Sequence, residues 1–159
     1  MIRVGVLSDT HISQAGPEFR AKAAACFADC SMILHAGDLT ELAILEVFGD
    51  KEVHAVAGNM CGSRTRAALP SRKTIQVGGF TIGLMHSPRY SYDPEELLLE
   101  EFPEADCIVY GHTHRPVARR IGKIVMLNPG SFTAGGGTYG VIEINDQLRA
   151  FIREVPSAR

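Results

Sequence analysis

The sequence predicts an α/β protein, a four-layer αββα sandwich of two mixed β-sheets with helices on the outer faces. Three observations predict it. The first part of the chain alternates near-continuous apolar strands with helical segments, the pattern of strands buried on both faces of a parallel sheet. The second half joins short strands through Gly78-Gly79, Gly122-Lys123 and Asn145-Asp146, which read as hairpin turns and hence as antiparallel pairing. Several strands run straight into polar or histidine residues, which in a parallel sheet gathers a site at one edge.

Taken in order, residues 2–7 form an apolar strand ending at Ser8-Asp9-Thr10-His11. After Gly16-Pro17 comes a helix with Phe19, Ala23, Phe27 and Cys30 on one buried stripe. Cys26 and Cys30 lie i, i+4 in that helix and read as structural core thiols rather than a metal or redox pair. Cys107 reads the same way, and only Cys61, beside Asn59 and Gly62, sits where reactivity is worth weighing. Residues 32–35 make a second strand leading to Ala36-Gly37-Asp38, and Thr40 is expected to cap a helix running to about Phe48 and stopped by Gly49. Residues 53–57 form a third strand ending at Gly58-Asn59.

Residues 73–77 and 80–85 flank Gly78-Gly79, and the second of these strands runs into His86. Asp93-Pro94-Glu95-Glu96 offers an N-cap, a proline at the first helical position and a capping-box glutamate for a helix that ends by Pro103. Residues 107–110 lead into Gly111-His112-Thr113-His114, whose i, i+2 imidazoles share one face of an extended segment. Strands at 117–121, 124–127, 139–144 and 148–155 complete the second half. There is no repeat or linker, and the Gly135-Gly136-Gly137 loop is the one low-complexity stretch.

At 159 residues the chain, 1–159, reads as one domain able to bury roughly two-thirds of its unfolded surface. No apolar run approaches the roughly 20 residues of a membrane span. The first apolar stretch is too short for a signal peptide, so a cytoplasmic location is expected and no membrane partner. A formal net charge of −2 gives no basic footprint for nucleic acid. A homo-oligomer is left open. Gly135-x-Gly137-x-x-Gly140 matches a dinucleotide fingerprint formally but precedes a strand, not a helix. Neither a P-loop nor a Gly-x-Ser-x-Gly elbow occurs.

The strand ends collect Asp9, His11, Asp38, Asn59, His86, His112 and His114. Seven oxygen and nitrogen donors at five strand ends suit two divalent cations sharing one carboxylate. Four imidazoles point to a transition ion, Mn²⁺, Fe²⁺, Ni²⁺ or Zn²⁺, rather than to magnesium. His54, mid-strand, and His35 read instead as structural histidines. Two carboxylates against two divalent ions leave a net positive pocket, for which an anionic substrate is the natural guest.

In order and over nearly the whole chain, Asp9-x-His11, Gly37-Asp38, Gly58-Asn59, His86 and Gly111-His112-x-His114 resemble the calcineurin-like metallophosphoesterase superfamily. The compact length and Asn128-Pro129-Gly130-Ser131 resemble its small bacterial and archaeal phosphodiesterase branch. The resemblance implies one metal held by Asp9, His11 and His114, a second held by Asn59, His86 and His112, and Asp38 bridging them. It further implies a binuclear metal-dependent phosphodiesterase in which a metal-bridging hydroxide attacks a small phosphoester, with Asp38, Asn59 and His86 in the catalytic set.

Two departures stand out. Where many members carry a histidine after Gly-Asn that protonates the leaving group, this chain has Met60, so either Cys61 serves, another group does, or only good leaving groups are processed; the last is favoured. Ser87 replaces the common glycine after His86 and is expected to alter substrate access. Arg89 and Arg115, close after ligands, are the candidates for contacting phosphate. The alternative reading is a non-catalytic protein-binding scaffold on the same fold. A nucleotide-binding regulator would need a stacking aromatic, for which Tyr90, Tyr92 and Phe132 are available.

Overall fold

The computed structural model describes residues 1–157. Three parallel strands, β1 (Ile2–Leu7), β2 (Met32–His35) and β3 (Glu52–Ala55), are linked by α1 (Pro17–Phe27) and by a 3₁₀ helix at Leu42–Phe48. A short helix α2 (Ser63–Ala68) leads to the second sheet, made of β4 (Arg72–Val77), β5 (Phe80–Met85), β6 (Cys107–Val109), β7 (Val117–Ile121) and β8 (Ile124–Asn128), with α3 (Glu95–Glu101) between β5 and β6. The chain then returns to the first sheet as the antiparallel pair β9 (Thr138–Ile144) and β10 (Leu148–Glu154). The sheet orders are β10-β9-β1-β2-β3 and β4-β5-β6-β8-β7, both mixed, as the sequence predicts.

Strand alternation builds the layers. Val4 and Val6 of β1, Leu34 of β2, Leu84 of β5, Val109 of β6 and Leu127 of β8 pack in one cluster between the sheets. Their neighbours Leu7 and Ile33 face the other way, onto Phe19, Ala23 and Phe27 of α1 and Ile44 and Phe48 of the 3₁₀ helix. On the second sheet Ile108 and Met126 meet Leu98 and Phe102 of the α3 region. Each apolar strand is thus buried on both faces, which is why it reads as a continuous apolar run.

The helix ends differ from expectation in detail. The segment after β2 is a 3₁₀ helix capped by Glu41, not an α-helix capped by Thr40. The Thr40 carbonyl is taken by the Gly62 N–H at 3.0 Å and the Thr65 hydroxyl at 3.1 Å, so tertiary contacts claim this residue. Gly49 does end the segment, at a φ of 58°. Pro94, not Asp93, is the N-cap of α3, and no side chain caps it. Cys30 lies three residues beyond the end of α1, where it is buried, and all four cysteines are free thiols. Gly78 and Gly79 both have positive φ, 57° and 84°, and close the β4–β5 hairpin. No helix among the described residues is long and apolar enough to cross a membrane.

Gly5 marks the closest approach of helix to sheet: a Cβ there would overlap the Phe27 ring and sit 3.0 Å from Ile33. Gly5→Ala should therefore lower stability by about 1–3 kcal/mol through overpacking. Gly136→Ala, which meets nothing within 4 Å, should change it by less than about 0.5 kcal/mol. Urea unfolding of the two variants checks both.

Candidate metal centre

The carboxyl ends of β1, β2 and β3 in one sheet and of β5 and β6 in the other converge on one edge of the sandwich. Their loops are tied to one another by backbone bonds: Asp9 N–H to the Gly37 carbonyl at 2.9 Å, His11 N–H to the Asp38 carbonyl at 3.1 Å, and Gly111 N–H to the His86 carbonyl at 2.9 Å. The His112 N–H crosses between the sheets to Asp9 Oδ2 at 3.1 Å.

Two donor groups result. Asp9, His11 and His114 each present a ligand atom within 4.8 Å of the others, and Asp38, His86 and His112 do likewise. Asp38 reaches toward both, since its Oδ2 lies 3.3 Å from His86 Nε2 and 3.6 Å from His11 Nε2. The Asn59 side chain joins the second group: one terminal amide atom lies 3.0 Å from His86 Nε2 and 3.2 Å from each Asp38 carboxylate oxygen. With nitrogen turned inward the amide donates to Asp38; with oxygen inward it offers a ligand atom. All seven residues singled out in the sequence meet here.

The residues present fit divalent ions. Asp9 Oδ1 and His112 Nε2 are buried with no hydrogen-bond partner, an orphaned state that interiors rarely tolerate. The other Asp9 oxygen is fixed by the Ser8 hydroxyl at 2.6 Å, so the carboxylate turns its free oxygen to the cluster. His86 Nδ1 lies 2.7 Å from the Ala36 carbonyl, which only accepts, so Nδ1 carries the proton and Nε2 faces Asp38.

Charge within the cluster is coupled. Burial alone would raise the Asp38 pKa, but its hydrogen bond and attraction to His86 hold it below the usual carboxylate range. Burial would likewise depress His86, yet Asp38 and Asp9 hold it above the usual imidazole value. Burial and the neighbouring His86 push His112 down.

A calcineurin-like phosphoesterase superfamily domain model matches residues 2–147. The chain belongs to that superfamily. It is 37% identical to a Methanothermobacter thermautotrophicus protein named "Probable metallophosphoesterase", the match covering 82% of this chain and 77% of that one. A Methanocaldococcus jannaschii phosphodiesterase is 23% identical over 89% of this chain and 93% of its own. Among solved structures, Entamoeba histolytica Vps29 complexed with Zn²⁺ superposes with a TM-score of 0.75 at 22% identity, covering 98% of this chain and 100% of that one.

In this superfamily domain an outer layer of polar side chains holds the donor loops, and sequence reasoning left most of it unread. Asn128 Nδ2 donates to Thr113 Oγ1 at 2.9 Å, Ser131 Oγ to the Asp9 carbonyl at 2.8 Å and Thr133 Oγ1 to the Thr10 carbonyl at 2.8 Å. Arg66, on α2, donates to the Asn59 carbonyl at 2.9 Å. The one signal available was Asn128-Pro129-Gly130-Ser131, a polar run directly after an apolar strand. Other residues fall outside the cluster. His54 pairs with Glu52 at 2.8 Å on β3, and Phe132 is buried against Phe19 and Phe27, which removes it as a stacking surface. Cys61 is buried with its Sγ accepting the Gly58 N–H at 3.2 Å, so it shapes the loop. Ser87, also buried, donates to the Ser91 carbonyl at 3.0 Å. Arg89 and Arg115 are exposed, and among the described residues neither guanidinium has an ion pair.

His35 belongs to this outer layer too. Its Nδ1 accepts the Gly37 N–H at 3.1 Å, so Nε2 carries the proton and donates to Thr10 Oγ1 at 3.2 Å, joining the Asp9 and Asp38 loops. Burial holds its pKa down at about 3, with the nearby His86 adding to the effect. The folded state therefore binds fewer protons than the unfolded state, whose histidine titrates near 6.5, and stability falls as pH drops below that value. Between pH 6.5 and 4.5 the metal-free protein should lose up to about 1.4 kcal/mol per pH unit from this residue. Urea unfolding across that window should show a flatter slope for His35→Gln.

Proposed function

We propose that the chain is a binuclear metal-dependent phosphodiesterase, and the observation that carries this reading is the pair of donor groups meeting at Asp38. Asp9, His11 and His114 would hold one ion, Asn59, His86 and His112 the other, and Asp38 both, with Mn²⁺ the first candidate and Ni²⁺, Zn²⁺ or Fe²⁺ the alternatives. When bound, such ions would polarise a phosphoryl oxygen and lower the pKa of a water.

The chain's own residues prepare that chemistry. Asp38 presents Oδ2 to the imidazoles while Oδ1 is anchored by the Met60 N–H at 2.8 Å. His86 is locked in the tautomer that faces Nε2 inward, and Ser8 and the His112 N–H fix Asp9. Arg89 and Arg115, exposed and following His86 and His114 closely in sequence, would contact phosphate oxygens. No acid follows Asn59: the Met60 side chain is exposed and carries no proton, and Cys61 is turned to the backbone. On this reading the leaving group departs as an anion, which favours aryl over alkyl esters. The diester reading is supported by the activity named for the Methanocaldococcus jannaschii relative.

Metal-stripped protein should recover hydrolysis of bis-p-nitrophenyl phosphate on addition of a single transition ion, faster than p-nitrophenyl phosphate. Asp38→Asn should lower that rate by more than about 100-fold, the upper end for loss of a mere outer-sphere partner, with the metal-free protein still folding cooperatively. Two tightly bound metals without turnover of either ester would favour the scaffold alternative, and absence of metal binding would overturn the donor assignment. A separate comparison of leaving groups tests the missing acid: Met60→His should raise turnover of alkyl-leaving diesters by up to about 100-fold while changing p-nitrophenyl diesters little.

A further inference from the structure

We propose that Tyr90 and Tyr92 form an aromatic shelf for a planar ring esterified to the phosphate, so that the substrate class is a phosphodiester bearing a nucleobase or aryl group; this rests on the phosphoesterase reading above. The Tyr92 ring centroid lies 4.8 Å from that of His112 with the planes tilted by 36°, and the Tyr90 ring lies at 6.0 Å and 47°. His112 is a member of the donor cluster through its buried Nε2. A phosphate engaged at the cluster therefore carries its ester group to these rings.

Exposure singles the pair out. The large hydrophobic side chains left exposed among the described residues are Met1, Leu42, Met60, Tyr90 and Tyr92. The last three, 58%, 51% and 73% exposed, follow the donors Asn59 and His86, so unburied apolar surface concentrates beside the donor cluster. Surface of this kind, kept exposed next to convergent polar groups, marks a ligand site.

The backbone beneath the rings is held in a costly conformation. Arg89 and Tyr90 have φ of 52° and 50°, a left-handed region that side chains other than glycine disfavour. Ser87 holds the turn, its Oγ donating to the Ser91 carbonyl at 3.0 Å and its own carbonyl accepting the Tyr90 N–H at 3.3 Å. Neither tyrosine gains core packing in return, since both remain more than half exposed. Strain of this sort, maintained without burial, is a feature of ligand-binding segments.

Stacking on an exposed aromatic contributes enough to shift affinity roughly tenfold per ring. Calorimetric titration of the metal-loaded protein with AMP, phenyl phosphate, ribose 5-phosphate and inorganic phosphate reads this directly. AMP or phenyl phosphate should bind at least about tenfold tighter than ribose 5-phosphate and shift the Tyr92 ring resonances. Tyr92→Ala and Tyr90→Ala should each shrink that ratio, whereas Tyr92→Phe should keep it. AMP binding tighter than phenyl phosphate assigns the ring to a nucleoside, and equal binding assigns it to an aryl ester. If ribose 5-phosphate binds as tightly as both aromatic ligands, the shelf is overturned and the metal reading stands. Failure of every phosphate ligand to bind overturns both.

Discussion

The bond from the His112 N–H to Asp9 Oδ2 is the constraint on which the donor cluster depends. Asp9 follows β1 of one sheet and His112 follows β6 of the other, so this contact sets how the two strand-end edges meet. With the Ser8 hydroxyl on the same oxygen, it fixes one side of the carboxylate and leaves Oδ1 buried and unpartnered. The approach is so close that a Cβ on Gly111 would overlap the Ser8 hydroxyl and lie 2.9 Å from Asp9 Oδ2. Gly58 stands in the same relation to Asp38. The glycines that precede Asn59 and His112 are thus explained by contact distance.

Bringing donors from five loops into so small a volume strains the backbone. Asp9, His11, Asp38, His112 and His114 all have positive φ, between 49° and 74°. Each such residue costs on the order of 1 kcal/mol or more. The loops keep these conformations because their N–H and carbonyl groups are satisfied by one another and by Asn128, which donates to the Gly111 carbonyl, and by Ser131, Thr133 and His35. Without a cation, the charge of Asp38 is balanced chiefly by His86, whose pKa is raised by the same contact. A cation held at that position would compete with this proton, so its affinity would rise with pH.

How much of this was legible follows from where each interaction is encoded. Strands buried on both faces announce themselves within six residues, and Gly78-Gly79 announces its hairpin within two. That the seven residues would come together was legible because each follows a strand closely, a local feature. Helix α2 was not: its six residues carry no apolar stripe, and its one buried side chain, Thr65, is bonded to Thr40. His35 looked like a structural histidine and is one, but its partners Thr10 and Gly37 reveal that the structure it supports is the donor cluster itself. Ser131 is bonded to Asp9, 122 positions away, and no local pattern records such a pair.

Under the proposed function the donor cluster would meet what all phosphoesters share and could not by itself choose among them; selection would have to come from groups that meet the esterified parts. Met60 acts on that choice twice. It removes a proton donor from the position after Asn59, which penalises leaving groups that are unstable as anions, and it adds exposed apolar surface to the loop carrying that donor. Tyr90 and Tyr92 add ring faces beside His112. An aryl ester satisfies both demands, because its ring both stabilises the departing oxyanion and offers a face to stack. On that proposal Arg89 and Arg115 would need only to orient the charged centre, leaving identity to be read by the apolar groups around it.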